Sequence, residues 1–218
     1  MIDETHWHTK YFWDFELKIP PPVYEPAEDT ALIAEAMVDE KRVFEKLADN
    51  VLDMGCGSGA LTILAAKYAK RVVAVDVNPW AAIATKINAK RLGYGDKVEV
   101  ICGDLLAAFA EQELFTAAIF NPPYLPGEED DGIVDSLTRM WWHGGVSGYD
   151  VVVRFARQVW PLLKPGGVVV FVVSSISNVA HIVSEMVSIG YVVDEIRREK
   201  LFFEELIVFL GEKPNRAC

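Results

Sequence analysis

The fold is decided by residues 51–60, which run Val51-Leu52-Asp53-Met54-Gly55-Cys56-Gly57-Ser58-Gly59-Ala60. The apolar run up to Met54 predicts a buried strand, and the spacing of Leu61, Leu64 and Ala65 predicts a helix directly after it. Glycines between the two predict a tight turn whose backbone can approach a ligand closely, beside the positive end of a helix. The stretch therefore predicts a strand–turn–helix unit that binds a ligand.

Outward from this unit, short apolar runs alternate with helical periodicity, which is typical of an α/β fold. Such a fold has a mostly parallel sheet with helices on both faces. A helix is predicted over roughly residues 28–48. The predicted strands cover residues 51–54, 72–76, 97–101, 116–120 and 167–174, followed by a β-rich end with Tyr191–Val193 and Leu206–Leu210.

The first 26 residues have neither helical nor strand periodicity and contain four prolines and six aromatic residues. Prolines exclude a regular helix, while the aromatic content is too high for a free tail. We therefore expect this segment to pack against the domain. The predicted organisation is an N-terminal extension over residues 1–22 and one domain over residues 23–218, since no linker or repeat marks a further division.

The chain has 21 basic and 32 acidic residues, a net charge of −11. This charge disfavours nucleic acid as the main partner and suits a basic protein or a cationic ligand. Three cysteines without a CxxC spacing suggest neither a disulfide framework nor a zinc site, and His6 and His8 lack further ligands, so no metal site is predicted. The absence of a leader-like or bilayer-spanning apolar run predicts a cytoplasmic protein without membrane contact.

Gly55, Gly57 and Ala60 also match the dinucleotide fingerprint G-x-G-x-x-G/A, with Asp76 about 20 residues later where a ribose-binding acid belongs. Asp53 and Asp104 add two more carboxylates at the ends of predicted strands. Carboxylates repel a pyrophosphate but attract the ammonium and sulfonium groups of S-adenosylmethionine. The predicted cofactor is therefore S-adenosylmethionine, with a dinucleotide as the rival.

Asn121-Pro122-Pro123-Tyr124 directly follows the predicted strand 116–120. The prolines stiffen the backbone, so that the Asn121 amide and the Pro122 carbonyl can act as two fixed hydrogen-bond acceptors. Two such acceptors can bind the hydrogens of a planar amide or amine, and Tyr124 offers a ring face to it. This motif predicts a site for a planar NH₂ group.

Together, the glycine turn, Val75-Asp76, Gly103-Asp104 and the Asn121–Tyr124 motif resemble a class I S-adenosylmethionine-dependent methyltransferase acting on amino groups. Three further motifs, Val23–Thr30, Asp76–Pro79 and Trp142–Gly148, resemble the HemK-like glutamine methyltransferases. Among these, the archaeal and eukaryotic branch that modifies the Gly-Gly-Gln glutamine of class I release factors is the most similar, over about residues 23–211.

The resemblance implies a Rossmann-like, seven-stranded sheet whose last strand is antiparallel. It implies a class I release factor as protein substrate and a small zinc-binding activator protein as a further partner. The implied catalytic residues are Asn121, Pro122 and Tyr124. The residues implied to bind the cofactor are Thr30 near its carboxylate, Asp53 with Gly55, Gly57 and Gly59 around its methionine part, Asp76 at the ribose, Asp104 and Leu105 at the adenine, and Asn121.

Other acceptors remain open at this point. A flipped adenine or guanine of RNA or DNA also presents a planar NH₂ group. A lysine of a basic protein would suit the acidic run Glu128–Asp131, which otherwise predicts a solvated loop. A dinucleotide-dependent reductase and a catalytically silent scaffold subunit are the alternatives outside methyl transfer.

Overall fold

The computed structural model describes residues 4–107, 109–123 and 149–216. Within them the helices are α1 (Glu28–Asp39), α2 (Lys41–Phe44), α3 (Ala60–Ala66), α4 (Pro79–Arg91), α5 (Asp150–Val159) and α6 (Val179–Ile189), with a 3-10 turn at Trp160–Leu162. The strands are β1 (His8–Phe12), β2 (Phe15–Ile19), β3 (Asn50–Met54), β4 (Arg71–Asp76), β5 (Val98–Cys102), β6 (Phe115–Phe120), β7 (Leu163–Ser174), β8 (Val192–Lys200) and β9 (Glu205–Glu212). None of the helices in these ranges has the length and hydrophobicity needed to cross a bilayer.

Seven strands form one sheet in the order β5-β4-β3-β6-β7-β9-β8. Strands β3 to β7 pair in parallel, while β9 pairs antiparallel with both β7 and β8. The predicted α/β class, the seven strands and the antiparallel last strand are thus confirmed. Because β4 and β5 extend the sheet to one side of β3, and β6 and β7 to the other, the strand order reverses between β3 and β6. In open α/β sheets, ligands bind at the carboxyl end of such a reversal.

Two apolar layers cover the two faces of the sheet, as the alternation of side chains along each strand requires. On one face, α1, α3 and α4 pack over strand residues such as Val51 and Ile119. On the other face, α5 and α6 pack over Leu52 and Phe120. This arrangement confirms the prediction of helices on both faces.

The N-terminal segment departs from the prediction, because β1 and β2 form an antiparallel hairpin with Phe12 paired to Phe15. The alternation in Phe15-Glu16-Leu17-Lys18-Ile19 is a strand signal of period two, which the proline and aromatic content of the segment obscured. Phe15, Leu17 and Ile19 are buried in the same apolar layer as α1 and α4. The expectation that this segment packs against the domain is confirmed.

The helix predicted over residues 28–48 is wrong in its length. Glu40 has an extended backbone, with φ −80° and ψ 109°, so that α1 ends before it and the short α2 begins after it. The Glu40 side chain accepts a hydrogen bond from the backbone N–H of Arg42 and thus caps α2. A second difference is β8, which extends to Lys200 where the sequence predicted only residues 191–193.

Candidate functional site

An open cavity of about 500 Å³ lies at the carboxyl ends of β3, β4 and β6, where the strand order reverses. Its volume falls in the range typical of small-molecule sites. The predicted site residues that line it are Thr30, Asp53, Gly55, Gly57, Asp76, Asp104, Leu105, Asn121 and Pro122. The fold thus brings together nearly all the residues that the sequence singled out, and Tyr124 lies outside the described residues.

The glycine turn between β3 and α3 uses its glycines for two different purposes. Gly55, Gly57 and Gly59 all have positive φ, at 67°, 55° and 90°. A Cβ on Gly57 would meet no atom closer than 4.0 Å and would therefore project into open space at the cavity, whereas a Cβ on Gly59 would lie 3.1 Å from Thr85 Oγ1. Gly57 consequently keeps the cavity open, while Gly59 allows α3 to pack against α4.

Asp53 is fully buried at the end of β3. Its Oδ2 accepts a hydrogen bond from Thr62 Oγ1, and its buried Oδ1 has no hydrogen-bond partner among the described residues. Burial raises the pKa of Asp53 to about 7, with a smaller contribution from the negative charge of Asp76. A cation placed beside Oδ1 would favour the ionised carboxylate.

Asp76 is half-buried at the end of β4 and is bonded to the backbone on both sides. Its Oδ2 accepts from the N–H of Gly57 at 2.9 Å, and its Oδ1 accepts from the N–H of Asn78 at 2.8 Å. Burial raises the pKa of Asp76, and these hydrogen bonds oppose the shift. The carboxylate therefore both lines the cavity and holds the glycine turn in place.

Asp104 differs from the other two carboxylates because it is exposed. Its Oδ2 accepts a hydrogen bond from Arg154 of α5 at 3.0 Å, and the side chains of both residues are more than half exposed. The neighbouring Leu105 is buried with a φ of 47°, a left-handed conformation that is unusual for leucine. Such backbone strain is common at ligand sites.

Asn121 follows β6 directly, one residue beyond the pairing of Met54 with Phe120 that joins β6 to β3. Its side-chain Nδ2 donates to Thr30 Oγ1 at 3.1 Å. Its Oδ1 is buried and has no hydrogen-bond partner among the described residues. Asn121 thus lines the cavity next to the buried Pro122, and its side-chain oxygen lacks a donor from the described part of the chain.

Thr30 is joined to two residues that the sequence analysis did not place at the site. Asp29 Oδ1 accepts from the backbone N–H of Thr30 at 2.5 Å and from its hydroxyl at 3.1 Å. Tyr24 donates its hydroxyl to Asp29, with 3.1 Å to each carboxylate oxygen. Glu28 and Asp29 both lie in the first turn of α1, where the helix dipole favours acidic residues in any case, so the residue type alone does not reveal that Asp29 binds Thr30.

The arrangement suits a cationic ligand and a second group that donates hydrogen bonds. The orphaned Asp53 Oδ1, the carboxylate of Asp76 and the open face of Gly57 fit S-adenosylmethionine. The orphaned Asn121 Oδ1 fits an NH₂ donor. Among the described residues, no group of histidine, cysteine and acidic side chains is placed to hold a metal ion.

Comparisons with known proteins agree with this arrangement. Residues 21–140 match the family described as "Methyltransferase small domain". A Methanocaldococcus jannaschii protein, inferred to be a protein N5-glutamine methyltransferase, is 36% identical over 201 residues, covering 88% of this chain and 93% of that protein. The release factor glutamine methyltransferase of Moorella thermoacetica is 32% identical over 169 residues, covering 75% of this chain and 59% of that longer protein.

Solved structures share the fold at lower identity. The E. cuniculi Mtq2–Trm112 complex, described as responsible for methylation of the termination factor eRF1, contains a chain with a TM-score of 0.64 and 24% identity, covering 88% of this chain and 99% of that one. The T. thermophilus 16S rRNA N2 G1207 methyltransferase, solved with AdoMet and guanosine, gives a TM-score of 0.64 and 20% identity, covering 95% of this chain and 50% of that one.

Proposed function

Because this chain belongs to the methyltransferase small-domain family and is similar to proteins named as glutamine methyltransferases, we propose that it methylates the side-chain nitrogen of a glutamine in a protein. The proposed acceptor is the glutamine of the Gly-Gly-Gln motif of a class I release factor. The observation that carries the proposal is that Asn121 lines the cavity while its buried side-chain oxygen, Oδ1, has no hydrogen-bond donor among the described residues.

The proposed cofactor is S-adenosylmethionine. When bound, it supplies a methyl group on a sulfonium centre, whose S–C bond breaks as the acceptor nitrogen forms the new N–C bond. Asp53 and the turn from Gly55 to Gly59 are proposed to surround its methionine part. Asp76 is proposed for the ribose hydroxyls, and Asp104 and Leu105 for the adenine; all but Gly59 line the one cavity.

The residues proposed to bind the acceptor amide accept hydrogen bonds from its NH₂ group and do not deprotonate the nitrogen before it attacks the methyl group. Asn121 Oδ1 and the Pro122 carbonyl are neutral acceptors that bind the two N–H groups of a carboxamide and keep its nitrogen in one orientation. Positioning of this kind supplies much of the rate acceleration in such reactions. Tyr124, which lies outside the described residues, is proposed to offer its ring face to the carboxamide. The methylated amide then releases one proton to solvent.

The choice of glutamine rests on the named relatives and on the charge of the chain. The two relatives described above, at 36% and 32% identity, carry glutamine methyltransferase names, although this chain spans only 59% of the second one. The net charge of −11 disfavours a nucleic acid as acceptor. A small, zinc-binding activator protein is proposed as a further partner, which the assembly of the similar Mtq2 chain with Trm112 supports.

Replacement of Asn121 by alanine tests the proposal. Asn121→Ala is expected to lower kcat by at least about 100-fold, because a positioned acceptor is lost, while the dissociation constant for S-adenosylmethionine stays within about three-fold. The measurements are a labelled-methyl assay and calorimetric titration. Wild-type turnover in Asn121→Ala would contradict the assigned role.

The acceptor is identified in the same assay by offering release factor, a basic lysine-rich protein, RNA and DNA side by side. Mass spectrometry then locates the methyl group. Methylation of a glutamine in the release factor is expected, whereas a methyl group on lysine or on a base would overturn the proposed substrate. Titration with NAD alongside S-adenosylmethionine provides the cofactor control, since binding of NAD alone would exclude methyl transfer.

A further inference from the structure

We propose that Thr30 is a positioning residue that sets the orientation of the Asn121 amide, and that Asp29 directs Thr30 in this role. The inference rests on the proposed function, because it concerns how Asn121 presents its oxygen to the acceptor. It assigns Thr30 a different task from the contact with the cofactor carboxylate that the family resemblance implied.

Asp29 determines which groups donate and which accept in this series of hydrogen bonds. Its side chain is buried at the start of α1, and an ionised carboxylate can only accept hydrogen bonds. Both the backbone N–H and the hydroxyl of Thr30 donate to Asp29 Oδ1, and Tyr24 donates its hydroxyl to the same carboxylate. The single hydroxyl proton of Thr30 is therefore committed to Asp29.

The next bond follows from this commitment. With its proton used, Thr30 Oγ1 can only accept a further bond, and it lies 3.1 Å from the side-chain nitrogen of Asn121. Only the NH₂ end of the Asn121 amide satisfies that lone pair, because the oxygen end would place two acceptors in contact. The amide is thereby held with Oδ1 on the opposite side, where that atom is buried and unpaired within the described ranges.

The same bonds argue against Thr30 as a ligand for the cofactor carboxylate. A carboxylate needs hydrogen-bond donors, but both donors of Thr30 already bind Asp29. The negative charge of Asp29 next to them would also repel a second carboxylate. Thr30 lines the cavity, but its hydroxyl oxygen accepts its hydrogen bond from the side chain of Asn121.

Three variants test the proposal. Thr30→Val removes the hydroxyl at nearly constant volume, and Thr30→Ser keeps it. The matched control is Thr116→Val. The Thr116 hydroxyl also donates a partly buried hydrogen bond, to the backbone oxygen of Lys46 at 2.7 Å, but Thr116 lies at the opposite end of β6 from Asn121. All variants are first compared with the wild type by thermal unfolding to establish that they fold.

Thr30→Val is expected to lower kcat by at least about ten-fold, with the dissociation constant for S-adenosylmethionine within about three-fold of the wild-type value. Thr30→Ser is expected to restore kcat to within about three-fold, and Thr116→Val to leave it unchanged. Unchanged kcat in Thr30→Val would overturn the proposal. So would a loss of cofactor affinity that accounts for the whole effect, because Thr30 would then be a cofactor ligand.

A second measurement does not depend on methyl transfer. In protein labelled with ¹⁵N-asparagine, the side-chain NH₂ signal of Asn121 is assigned by its loss in Asn121→Ala. We expect it to show a nuclear Overhauser contact with Thr30 and slow exchange with water, both lost in Thr30→Val. A freely exchanging NH₂ group without this contact would overturn the inference. If the wild type methylates no acceptor, the proposed function fails, while this result still decides the orientation of Asn121.

Discussion

Asp53, Asp76 and Asp104 occupy similar places in the sequence, each at the end of a strand, yet they differ in burial and in hydrogen-bond partners. Burial raises the pKa of Asp53 to about 7 and raises that of Asp76 as well, whereas Asp104 is exposed and bonded to Arg154. The sequence places all three at the site, but it does not reveal how much water each retains. The three carboxylates therefore differ in their access to water and in their hydrogen-bond partners, although the sequence presents them alike.

Asp53→Asn is expected to change how the stability of the ligand-free protein depends on pH. Since the pKa of Asp53 rises from 3.8 unfolded to about 7 folded, its contribution to stability is full below pH 4 and is lost as the pH rises to 7. The wild type should therefore lose up to about 1.4 kcal/mol of unfolding free energy per pH unit over this window. Asp53→Asn lacks the titrating group and should not show this loss, so its stability relative to the wild type should rise with pH. Urea unfolding at pH 5, 6, 7 and 8 measures the difference, and parallel curves for the two proteins would contradict it.

At the scale of elements, the turn after β3 was predictable because glycine is the residue that adopts positive φ at little cost. The sequence did not show that Gly57 and Gly59 have different roles. Gly57 borders the cavity, whereas Gly59 is buried against Thr85 and is not among the residues that line it. That distinction depends on where α4 packs, which is a tertiary contact.

Gly57→Ala tests the role of this turn, and Gly93→Ala is its matched control. Both glycines have positive φ, at 55° and 85°, and a Cβ on either would meet nothing closer than about 4 Å. Each substitution is expected to cost about 1 kcal/mol of unfolding free energy through backbone strain. Only Gly57→Ala should also weaken S-adenosylmethionine binding, by about ten-fold or more, because its methyl group occupies the cavity. Equal affinities in the two variants would show that the turn does not contact the ligand.

Two elements were missed for physical reasons that particular residues show. The hairpin of β1 and β2 turns at Trp13, which has a φ of 57° without being glycine or asparagine, so the usual turn signal is absent. The break between α1 and α2 falls at Glu40, a residue with good helix propensity. The bond from Asn121 to Thr30 spans 91 residues of chain, and no local pattern predicts a contact of that separation.

At the scale of the whole molecule, the N-terminal hairpin is bonded to the centre of the fold through Asn88 of α4. Asn88 is fully buried, and its side chain exchanges hydrogen bonds with the N–H and C=O of Lys18 at 2.9 and 2.8 Å. It also donates to Ser58 O in the glycine turn at 2.9 Å. One side chain thus joins the hairpin to the turn that borders the cavity.

Removal of residues 1–22 tests whether this segment is an extension, as the sequence predicts, or a part of the domain. Four buried apolar side chains, Phe12, Phe15, Leu17 and Ile19, would be lost at about 1.5–3 kcal/mol each, which is comparable to the whole stability of a typical domain. The chain from residue 23 onward is therefore expected not to fold cooperatively. Urea unfolding measures this, with removal of residues 1–6 as the control that keeps β1 intact. A wild-type unfolding free energy in the shorter chain would support the predicted boundary at residue 22.

The β3–β6 ladder has a consequence for protein engineering. Met54 pairs with Phe120, so the last residue before the glycine turn and the last residue before Asn121 lie side by side in the parallel ladder. The register of this ladder therefore sets how the two halves of the site are aligned with each other. We expect a chimera that takes its acceptor motif from another methyltransferase to keep this alignment when the graft begins after Phe120 and no residue is inserted or deleted before it. A shift of one residue in the pairing register would turn every β6 side chain to the opposite face of the sheet, and we expect it to abolish activity.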